Sequence, residues 1–457
     1  MTLRRWQSEC IGQALRHYRN QQHFFCQATP AAGKTRMAAE LAKLLFAEGK
    51  IDAVICFAPA CQIVDGFRRT FTKVLGRAFD GRMNAAGTAI TYQSIEHQEE
   101  SFWRLFEELR VFTVFDEIHH CSGGDEVQSP NIWGQRIIQR IQDSATYTLA
   151  MSGTPWRSDE RSIALARYST PEGRLVVDYQ YSLKDAIQEG VCRAPRVTLV
   201  DNSEITLKRI DNIVDNYDGF SSLLNSSKAT FESLVTHVGI NRQLLLLAQK
   251  RLNEIRISMP DAAALVVASN IDHAYKVSEL LQQMDEQVVV VTTHRNDANQ
   301  VIDDFRSGLS RWIVAVGMVS EGTDIPRLQV CCYLSRIRTE MYFRQVLGRV
   351  LRQRSKTDNQ AWMYMLAEPE LSASAERLMD DLPEHLAVCE HLVRVEVVDE
   401  AWRAEDGFHT SQSPGFDFTS LKPSARTKEP GGAASPAEQL GQMILLGAFR
   451  EKLLAFF

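Results

Sequence analysis

The sequence predicts an α/β protein with two tandem domains, each a mostly parallel β-sheet flanked by helices, plus a short C-terminal extension. Two sets of short apolar, β-branched runs carry this prediction, because strands separated by helical crossovers are typical of parallel sheets. The first set begins at residues 24, 53, 111 and 147, and the second at residues 263, 287, 311 and 330. A chain of 457 residues, 44% of them hydrophobic, is long enough to bury two such cores.

Changes in composition along the chain predict the domain boundaries. Residues 1–200 are expected to form the first domain, 201–257 a connecting segment that ends in a helix, and 258–399 the second domain. Residues 400–457 begin as a linker rich in Ser, Pro and Gly. They end in "AEQLGQMILLGAFREKLLAFF", which predicts one amphipathic helix that docks on its own chain or, alternatively, on a partner protein.

The bulk composition is that of an ordinary soluble protein. No run of about 18 apolar residues occurs, and the N-terminus lacks the apolar core of a signal peptide, so we expect a cytoplasmic protein without membrane contact. The nine cysteines lack the paired spacing of metal ligands, which favours reduced, buried thiols. The net charge of −6 does not suggest general binding of polyanions, but it leaves a local basic groove open.

The segment "ATPAAGKT", residues 28–35, has the spacing of a phosphate-binding loop, with alanine in place of the first glycine. Gly33 lets the backbone approach phosphates, and the following helix presents its unpaired amides to them. Lys34 is predicted to neutralise the β- and γ-phosphates of ATP, and Thr35 to give its hydroxyl to Mg²⁺. The alternative is a chance Gly-Lys-Thr in a strand-helix turn. The residues predicted to bind ATP here are Ala31, Ala32, Gly33, Lys34, Thr35 and Arg36.

Two adjacent acids follow the apolar run of "VFTVFDEIHH". Asp116 is predicted to hold Mg²⁺ and Glu117 to polarise the attacking water, since open α/β sheets bind ligands at the carboxyl ends of their strands. A solvated acidic strand end is the alternative. His119, His120 and Cys121 do not predict a zinc site, because three adjacent side chains cannot easily converge on one tetrahedral ion.

Together these residues resemble superfamily-two helicases and translocases, in the DEAD/DEAH-like branch that contains restriction-enzyme and DNA-repair motor subunits. The resemblance covers roughly residues 3–355, with the motifs in family order. It implies two RecA-like domains that bind ATP and Mg²⁺ between them. In "LRRWQ" it implies that Arg4 supports the nucleotide pocket and that Gln7 bonds the adenine edge. It further implies residues that couple the γ-phosphate to the nucleic-acid site: His119, His120, Ser152 and Thr154.

The second half of the chain resembles the remaining ATP motifs. "VGMVSEGTDIP" places Gly322 and Asp324 at the domain cleft, and "YFRQVLGRVLRQ" supplies the sixth motif. If the latter segment is helical, Gln345, Arg349 and Arg352 share one face. The two arginines are then predicted to stabilise charge on the transferring phosphoryl group. Such stabilisation raises the rate by roughly 10³-fold or more in related chemistry. The alternative is a basic helix solvated on one side.

The nucleic-acid side is less sharply marked than the ATP side. Each candidate is expected in a loop after a strand, and any one of them alone is more often plain surface. The "DEIHH" box resembles DNA motors more than strict DEAD-type RNA helicases. The predicted nucleic-acid contacts are Arg68, Arg69, Thr91, Gln93, Ser269, Asn270 and His294.

The sequence therefore predicts a nucleic-acid-stimulated ATPase that acts as a helicase or translocase, with DNA favoured over RNA. We find no nuclease-like constellation in the roughly 100 residues after the sixth motif, so a compact motor of a multi-protein defence or repair system is expected, with protein partners reached through the C-terminal extension. The alternatives are an RNA helicase, a small-molecule kinase, an ATP-driven remodeler of protein, and a scaffold without turnover.

Overall fold

The computed structural model describes residues 2–123, 130–155, 161–208, 214–226, 229–292, 297–317, 325–355, 357–380, 391–395 and 442–455. Within these residues the chain forms two mostly parallel sheets flanked by helices, which confirms the predicted fold class. None of the described helices has the length and apolar character needed to cross a membrane.

The first domain contains a six-stranded sheet and a small two-stranded ribbon. The strands are β1 (His23–Ala28), β2 (Ala53–Ala58), β3 (Gly87–Thr91), β4 (Val111–Asp116), β5 (Tyr147–Ser152), β6 (Arg167–Tyr168), β7 (Leu175–Val176) and β8 (Tyr179–Tyr181). The sheet is parallel throughout, in the order β3-β2-β4-β5-β1-β8. Its helices are α1 (Arg5–His17), α2 (Lys34–Ala47), α3 (Cys61–Leu75), α4 (Glu100–Glu108), α5 (Ile132–Arg140) and α6 (Leu183–Gln188).

The second domain contains an eight-stranded sheet and a three-stranded sheet. The strands are β9 (Ala194–Asn202), β10 (Ile205–Lys208), β11 (Val214–Tyr217), β12 (Ala263–Ala268), β13 (Val288–Val291), β14 (Trp312–Ala315), β15 (Leu328–Leu334), β16 (Gln360–Leu366), β17 (His391–Val395), β18 (Gln442–Leu445) and β19 (Phe449–Ala455). The large sheet has the order β13-β14-β12-β15-β16-β9-β19-β17, and the small one β11-β10-β18. The helices are α7 (Phe220–Ser226), α8 (Phe231–Val235), α9 (Val238–Ser258), α10 (Ile271–Gln283), α11 (Ala298–Ser307), α12 (Glu340–Val350) and α13 (Pro369–Asp380).

All eight apolar runs that predicted strands do form strands. Every residue of β4 and of β12 is buried, as expected for parallel strands that helices cover on both faces. In the first sheet β1, β4 and β5 are adjacent and parallel, so Ala28, Asp116 and Ser152 end at the same edge. The loops that follow these three strands carry the predicted ATP motifs, and the sheet therefore brings those motifs together.

The predicted boundary at residue 200 is wrong, because β9 begins at Ala194 and lies in the second sheet between β16 and β19. The segment 201–257 is also more than a connection. Its strands β10 and β11 form the small sheet, and α9 packs against β15 and β16 of the large one. The chain thus passes from the first sheet to the second between α6 and β9.

The predicted C-terminal amphipathic helix is wrong. Its segment forms β18 and β19 instead, and β19 pairs antiparallel with β9. The turn between β18 and β19 requires glycine at Gly447, because a Cβ there would lie 2.4 Å from the backbone nitrogen of Glu204. Pairing with the edge of β9 outweighs the local helical pattern, since tertiary contacts decide strand formation. The predicted linker, residues 400–436, lies outside the described residues.

A buried histidine, His273, ties α10 to α9 in the second domain. Its Nδ1 accepts a hydrogen bond from the backbone nitrogen of Ser269 at 3.2 Å, and the amide of Asn241 lies 2.7 Å from Nε2. Burial, and secondarily Lys276, lower the pKa of His273 to about 4. The ring is therefore neutral in the folded protein at physiological pH.

We expect His273 to make stability depend on pH between about 4 and 6.5. Because the folded pKa lies below the unfolded value, the contribution is complete above pH 6.5 and is lost as the pH falls through 4. A shift of this size corresponds to roughly 3 kcal/mol. The free energy of unfolding of the wild type and of His273→Gln should be measured across this range. Parallel pH profiles for the two proteins would contradict the expectation.

Candidate functional site

The predicted phosphate loop connects β1 to α2. Ala31 and Gly33 both have left-handed backbone, with φ of 67° and 93°, and α2 begins directly after Gly33. Such a turn followed by a helix N-terminus can direct backbone amides toward an anion. The segment at the start of α1 braces the loop: Arg4 Nη1 donates to the carbonyl of Ala32 at 2.6 Å, and Gln7 Nε2 donates to that of Gly33 at 3.0 Å.

Lys34 forms an ion pair with Glu117. Its Nζ lies 3.1 Å from Glu117 Oε1 and donates to the carbonyl of Ala28 at 3.2 Å. Burial alone would raise the pKa of Glu117, but Lys34, and secondarily His119, overcome it and lower the pKa to about 2. The same pairing raises the pKa of Lys34 above its usual value despite burial. Both groups are therefore charged at neutral pH.

Glu117 also contacts the segment after β5. Its Oε2 accepts hydrogen bonds from Ser152 Oγ at 3.1 Å and from the backbone nitrogen of Gly153 at 3.3 Å. His119 Nδ1 lies 2.9 Å from Ser152 Oγ, which also accepts from the backbone nitrogen of Thr154 at 3.1 Å. Glu117, which follows β4, is thus hydrogen-bonded directly to Ser152, and Ser152 connects it to His119 and Thr154.

Asp116 has a different environment from its neighbour. Burial, and secondarily the charge of Glu117, raise the pKa of Asp116 to about 7. Its Oδ1 is buried and has no hydrogen-bond partner among the described residues. A buried carboxylate oxygen without a donor suits a hard cation such as Mg²⁺, and Thr35 lines the same cavity. These residues therefore fit the metal that the sequence implies.

The cavity lies between the two domains and has a volume of about 600 Å³. Lys34, Asp116 and Glu117 line it from the first domain, and Gln345, Arg349 and Arg352 line it from the second. Pockets of a few hundred Å³ bind small-molecule ligands and cofactors. The further predicted residues that line it are Arg4, Ala31, Gly33, Thr35, Arg36, Thr154 and also Arg69.

The predicted face of the sixth motif is only partly right. Gln345 and Arg349 lie on α12, but the helix ends at Val350 and Arg352 lies beyond it, where its backbone bridges to Cys192. The positive charge of Arg349 partly opposes the rise in the pKa of Asp116, so this arginine acts electrostatically on the site. Burial lowers the pKa of Arg352 to about 10, which leaves it charged at neutral pH.

Pro30 is a contact that the motif spacing does not reveal. A Cβ on Gly153 would lie 2.9 Å from Pro30 Cδ, and one on Gly348 would lie 2.5 Å from Pro30 Cβ. Both distances are too short for a real side chain. The proline of the phosphate loop therefore packs against a glycine from each of the two other motifs.

Family models match both halves of the chain. The model described as "Type III restriction enzyme, res subunit" matches residues 1–157, and the helicase conserved C-terminal domain matches residues 248–354. The chain belongs to the superfamily-two helicase-like proteins. The two sheets are accordingly the two RecA-like domains of a helicase-like protein.

Individual proteins are similar to this helicase-like protein over most of its length. An uncharacterized protein of Mycobacterium tuberculosis is 29% identical over 82% of the chain, which spans 63% of that protein's length. The DNA 3'-5' translocase XPB2 of Sulfurisphaera tokodaii is 24% identical over 71% of the chain and 74% of its own length. The ATP-dependent Type ISP restriction-modification enzyme LlaBIII bound to DNA shares the fold with a TM-score of 0.54, 14% identity, and coverage of 84% of this chain and 30% of its own.

The predicted nucleic-acid contacts of this helicase-like protein are spread over several environments. Arg68 Nη2 donates to the carbonyl of Ala89 at 3.0 Å, and Arg69 lines the interdomain cavity. Asn270 caps α10 by accepting from the backbone nitrogen of His273. These bonds give Arg68 and Asn270 structural roles, while their contact with nucleic acid stays a prediction.

Some of the other predicted residues lie in the described part of the chain, and three lie outside it. Thr91 ends β3, and Gln93 Nε2 donates to the carbonyl of Pro59 at 3.3 Å. The rings of His119 and His120 lie with their centroids 4.5 Å apart. The predicted residues that lie outside the described part of the chain are Gly322, Asp324 and His294.

We expect Gly348→Ala to destabilise the protein, because the added methyl group meets the rigid ring of Pro30. Overpacking of this kind costs about 1–3 kcal/mol. Gly12→Ala is the matched control: it is also helical, its Cβ would lie 3.6 Å from Arg16 Nη1, and it should gain about 0.5–1 kcal/mol. Denaturant unfolding measures both. Equal stabilisation by the two substitutions would mean that α12 is not held against Pro30.

Proposed function

We propose that this protein is a nucleic-acid-dependent ATPase that works as a DNA helicase or translocase. One observation carries the proposal: Lys34 and Glu117 of the first domain face Arg349 and Arg352 of the second across one cavity. A cation, a carboxylate and two guanidinium groups around one space suit phosphoryl transfer, in which positioning and charge stabilisation do most of the work.

Binding of ATP is proposed to rearrange the Lys34–Glu117 pair. The terminal phosphates offer Lys34 stronger anionic partners than Glu117 Oε1, to which it is now bound at 3.1 Å. Lys34 is the strongest influence lowering the pKa of Glu117, so its turn toward phosphate makes that carboxylate a better base. Glu117, whose Oε2 still accepts hydrogen bonds from Ser152 and Gly153, then orients and deprotonates the attacking water.

Thr35 and Asp116 are the residues proposed to hold Mg²⁺, through a hydroxyl and a carboxylate oxygen. The ion would supply positive charge against the β- and γ-phosphate oxygens. Tyr92 fixes the end of β4, because its hydroxyl donates to the carbonyl of Asp116 at 2.9 Å. Arg349 and Arg352 stabilise the charge that develops on the transferred group, from the opposite wall of the cavity.

Ser152 Oγ donates a hydrogen bond to Glu117 Oε2 and accepts one from the backbone nitrogen of Thr154, and these two bonds are proposed to report the nucleotide state to the nucleic-acid site. DNA is favoured as the substrate because one relative, 24% identical to this chain, is a DNA translocase. Cytoplasmic location and protein partners of the C-terminal extension are part of the proposal.

We expect Lys34→Ala and Glu117→Gln to separate nucleotide binding from hydrolysis. Lys34→Ala removes the phosphate contact, so both ATP affinity and turnover should fall; Glu117→Gln keeps the shape but not the base, so turnover should fall by about 10²-fold or more with binding retained. Lys43→Ala, an exposed lysine on the same helix, is the control and should match the wild type. Steady-state ATPase assays and binding of a fluorescent ATP analogue measure these effects. Normal hydrolysis by Lys34→Ala would contradict the proposed site.

We also expect a polymer to stimulate hydrolysis. ATPase rates should be compared without polymer and with single-stranded DNA, double-stranded DNA and RNA. Stimulation by DNA supports the proposal, stimulation by RNA alone indicates an RNA helicase, and a rate unaffected by any polymer indicates another ATP-driven enzyme. Because phosphate contacts dominate affinity, DNA binding should weaken by about tenfold or more between about 50 and 200 mM salt.

A further inference from the structure

Arg193 is a buried arginine at the point where the chain passes from the first domain to the second. It follows Cys192, and β9 begins at the next residue. Its side chain is 0% exposed. Arginine is almost never fully buried unless its guanidinium is paired, so the groups around it indicate its role.

All five N–H groups of this guanidinium have acceptors. Nε and Nη2 each donate to one carboxylate oxygen of Asp358 at 2.6 Å, which is the bidentate geometry of strong arginine–carboxylate pairs. Nη1 donates to the carbonyls of Leu328 and Val350, and Nη2 also donates to that of Pro326 at 3.0 Å. A lysine has only three donors on a single nitrogen and cannot replace this set.

Asp358 is itself held from two further sides. It is fully buried, Gln329 Nε2 donates to its Oδ1, and the backbone nitrogen of Arg354 donates to its Oδ2 at 3.1 Å. The Arg193–Asp358 pair therefore joins the crossover between the domains to the starts of β15 and β16. Because the pair is buried and each oxygen has two donors, it fixes these segments relative to one another.

The same residues hold the end of the arginine helix. The backbone nitrogen of Arg193 donates to the carbonyl of Leu351 at 2.7 Å, and its side-chain Nη1 donates to the carbonyl of Val350 at 2.6 Å. The last carbonyls of a helix lack partners within it, so Arg193 caps α12. Arg349 immediately precedes these two capped residues and Arg352 immediately follows them.

We propose that Arg193, paired with Asp358, is a positioning residue that aims Arg349 and Arg352 into the interdomain cavity. Arg193 does not line that cavity, and it acts through the backbone on either side of the two arginines. The crossover segment and the end of α12 thus move as one unit when the second domain moves. The inference rests on the proposed ATP hydrolysis, and it assigns Arg193 to turnover rather than to nucleotide affinity.

Arg193→Lys tests the role. Because a displacement of about 1 Å in a catalytic group can cost on the order of 10²-fold, kcat for DNA-stimulated ATP hydrolysis should fall by about ten- to a hundredfold. The affinity for a fluorescent ATP analogue should change by less than about twofold, since the residues that bind phosphate lie in the first domain. Asp358→Asn, which weakens the same pair without changing its size, should act in the same direction and serves if the lysine variant does not fold.

Arg327→Lys is the matched control. Arg327 is 4% exposed and donates to the carbonyls of Phe305, Ser310 and Asp261 in the second domain, without a bond to the sixth motif. Arg327 lies between Pro326 and Leu328, whose carbonyls Arg193 also binds, so its substitution disturbs the same segment without removing a bond to α12. It should leave kcat within about twofold of the wild type. An equal loss of kcat in both lysine variants would reduce Arg193 to a structural residue and overturn the proposal.

A double-variant cycle with Arg349→Ala separates positioning from independent action. If Arg193 acts through Arg349, Arg193→Lys should cost much less in the Arg349→Ala background than in the wild type. Because Arg193 is proposed to aim Arg352 as well, the full loss in the Arg349→Ala background and again in an Arg352→Ala background would overturn the proposal. Wild-type protein without ATP hydrolysis would contradict the proposed function and this inference with it. Wild-type hydrolysis with an unchanged kcat in Arg193→Lys would contradict the positioning role alone.

Discussion

The contact of Pro30 with two glycines determines how closely the domains approach at the interdomain cavity. Pro30 belongs to the phosphate loop, Gly153 to the segment after β5, and Gly348 to α12 of the other domain. No side chain fits at either glycine, so the helix backbone lies directly against the loop. Arg349, the next residue on that helix, therefore comes near enough for its charge to act on Asp116.

The two adjacent acids at the end of β4 have different pKa values because their surroundings differ. Asp116 and Glu117 are neighbours in sequence, yet the pKa of one is raised to about 7 and that of the other lowered to about 2. Lys34 explains the difference, because its ammonium bonds Glu117 while Asp116 keeps a buried oxygen without a donor. Environments that push the pKa values of two carboxyl groups apart are the usual way in which adjacent acids acquire separate chemical roles.

Local pattern was sufficient for the central strands β1, β2, β4, β5 and β12–β15, and for most of the cavity. The apolar runs and the Gly-Lys-Thr turn are short-range signals, and parallel strands bring their carboxyl ends together without further information. Local pattern failed where distant segments decide the structure. The segment 442–455 has a helical period but forms strands beside β9 and β10. The helix of Arg349 ends before Arg352, at the point where Arg193 binds the carbonyls of Val350 and Leu351. Arg193 carries no motif, so only its burial reveals it.

The pairing of β19 with β9 has a consequence for how the chain reaches its folded state. Arg450 and Asn202, which are joined by a hydrogen bond across this pair, are separated by 248 positions. During synthesis β9 emerges long before its outer neighbour, so one edge of the nascent second sheet waits uncovered. Unpaired sheet edges template pairing with other chains, and contacts of such long range form slowly. A ribosome-bound intermediate of this protein is therefore the stage at which it most needs protection from aggregation.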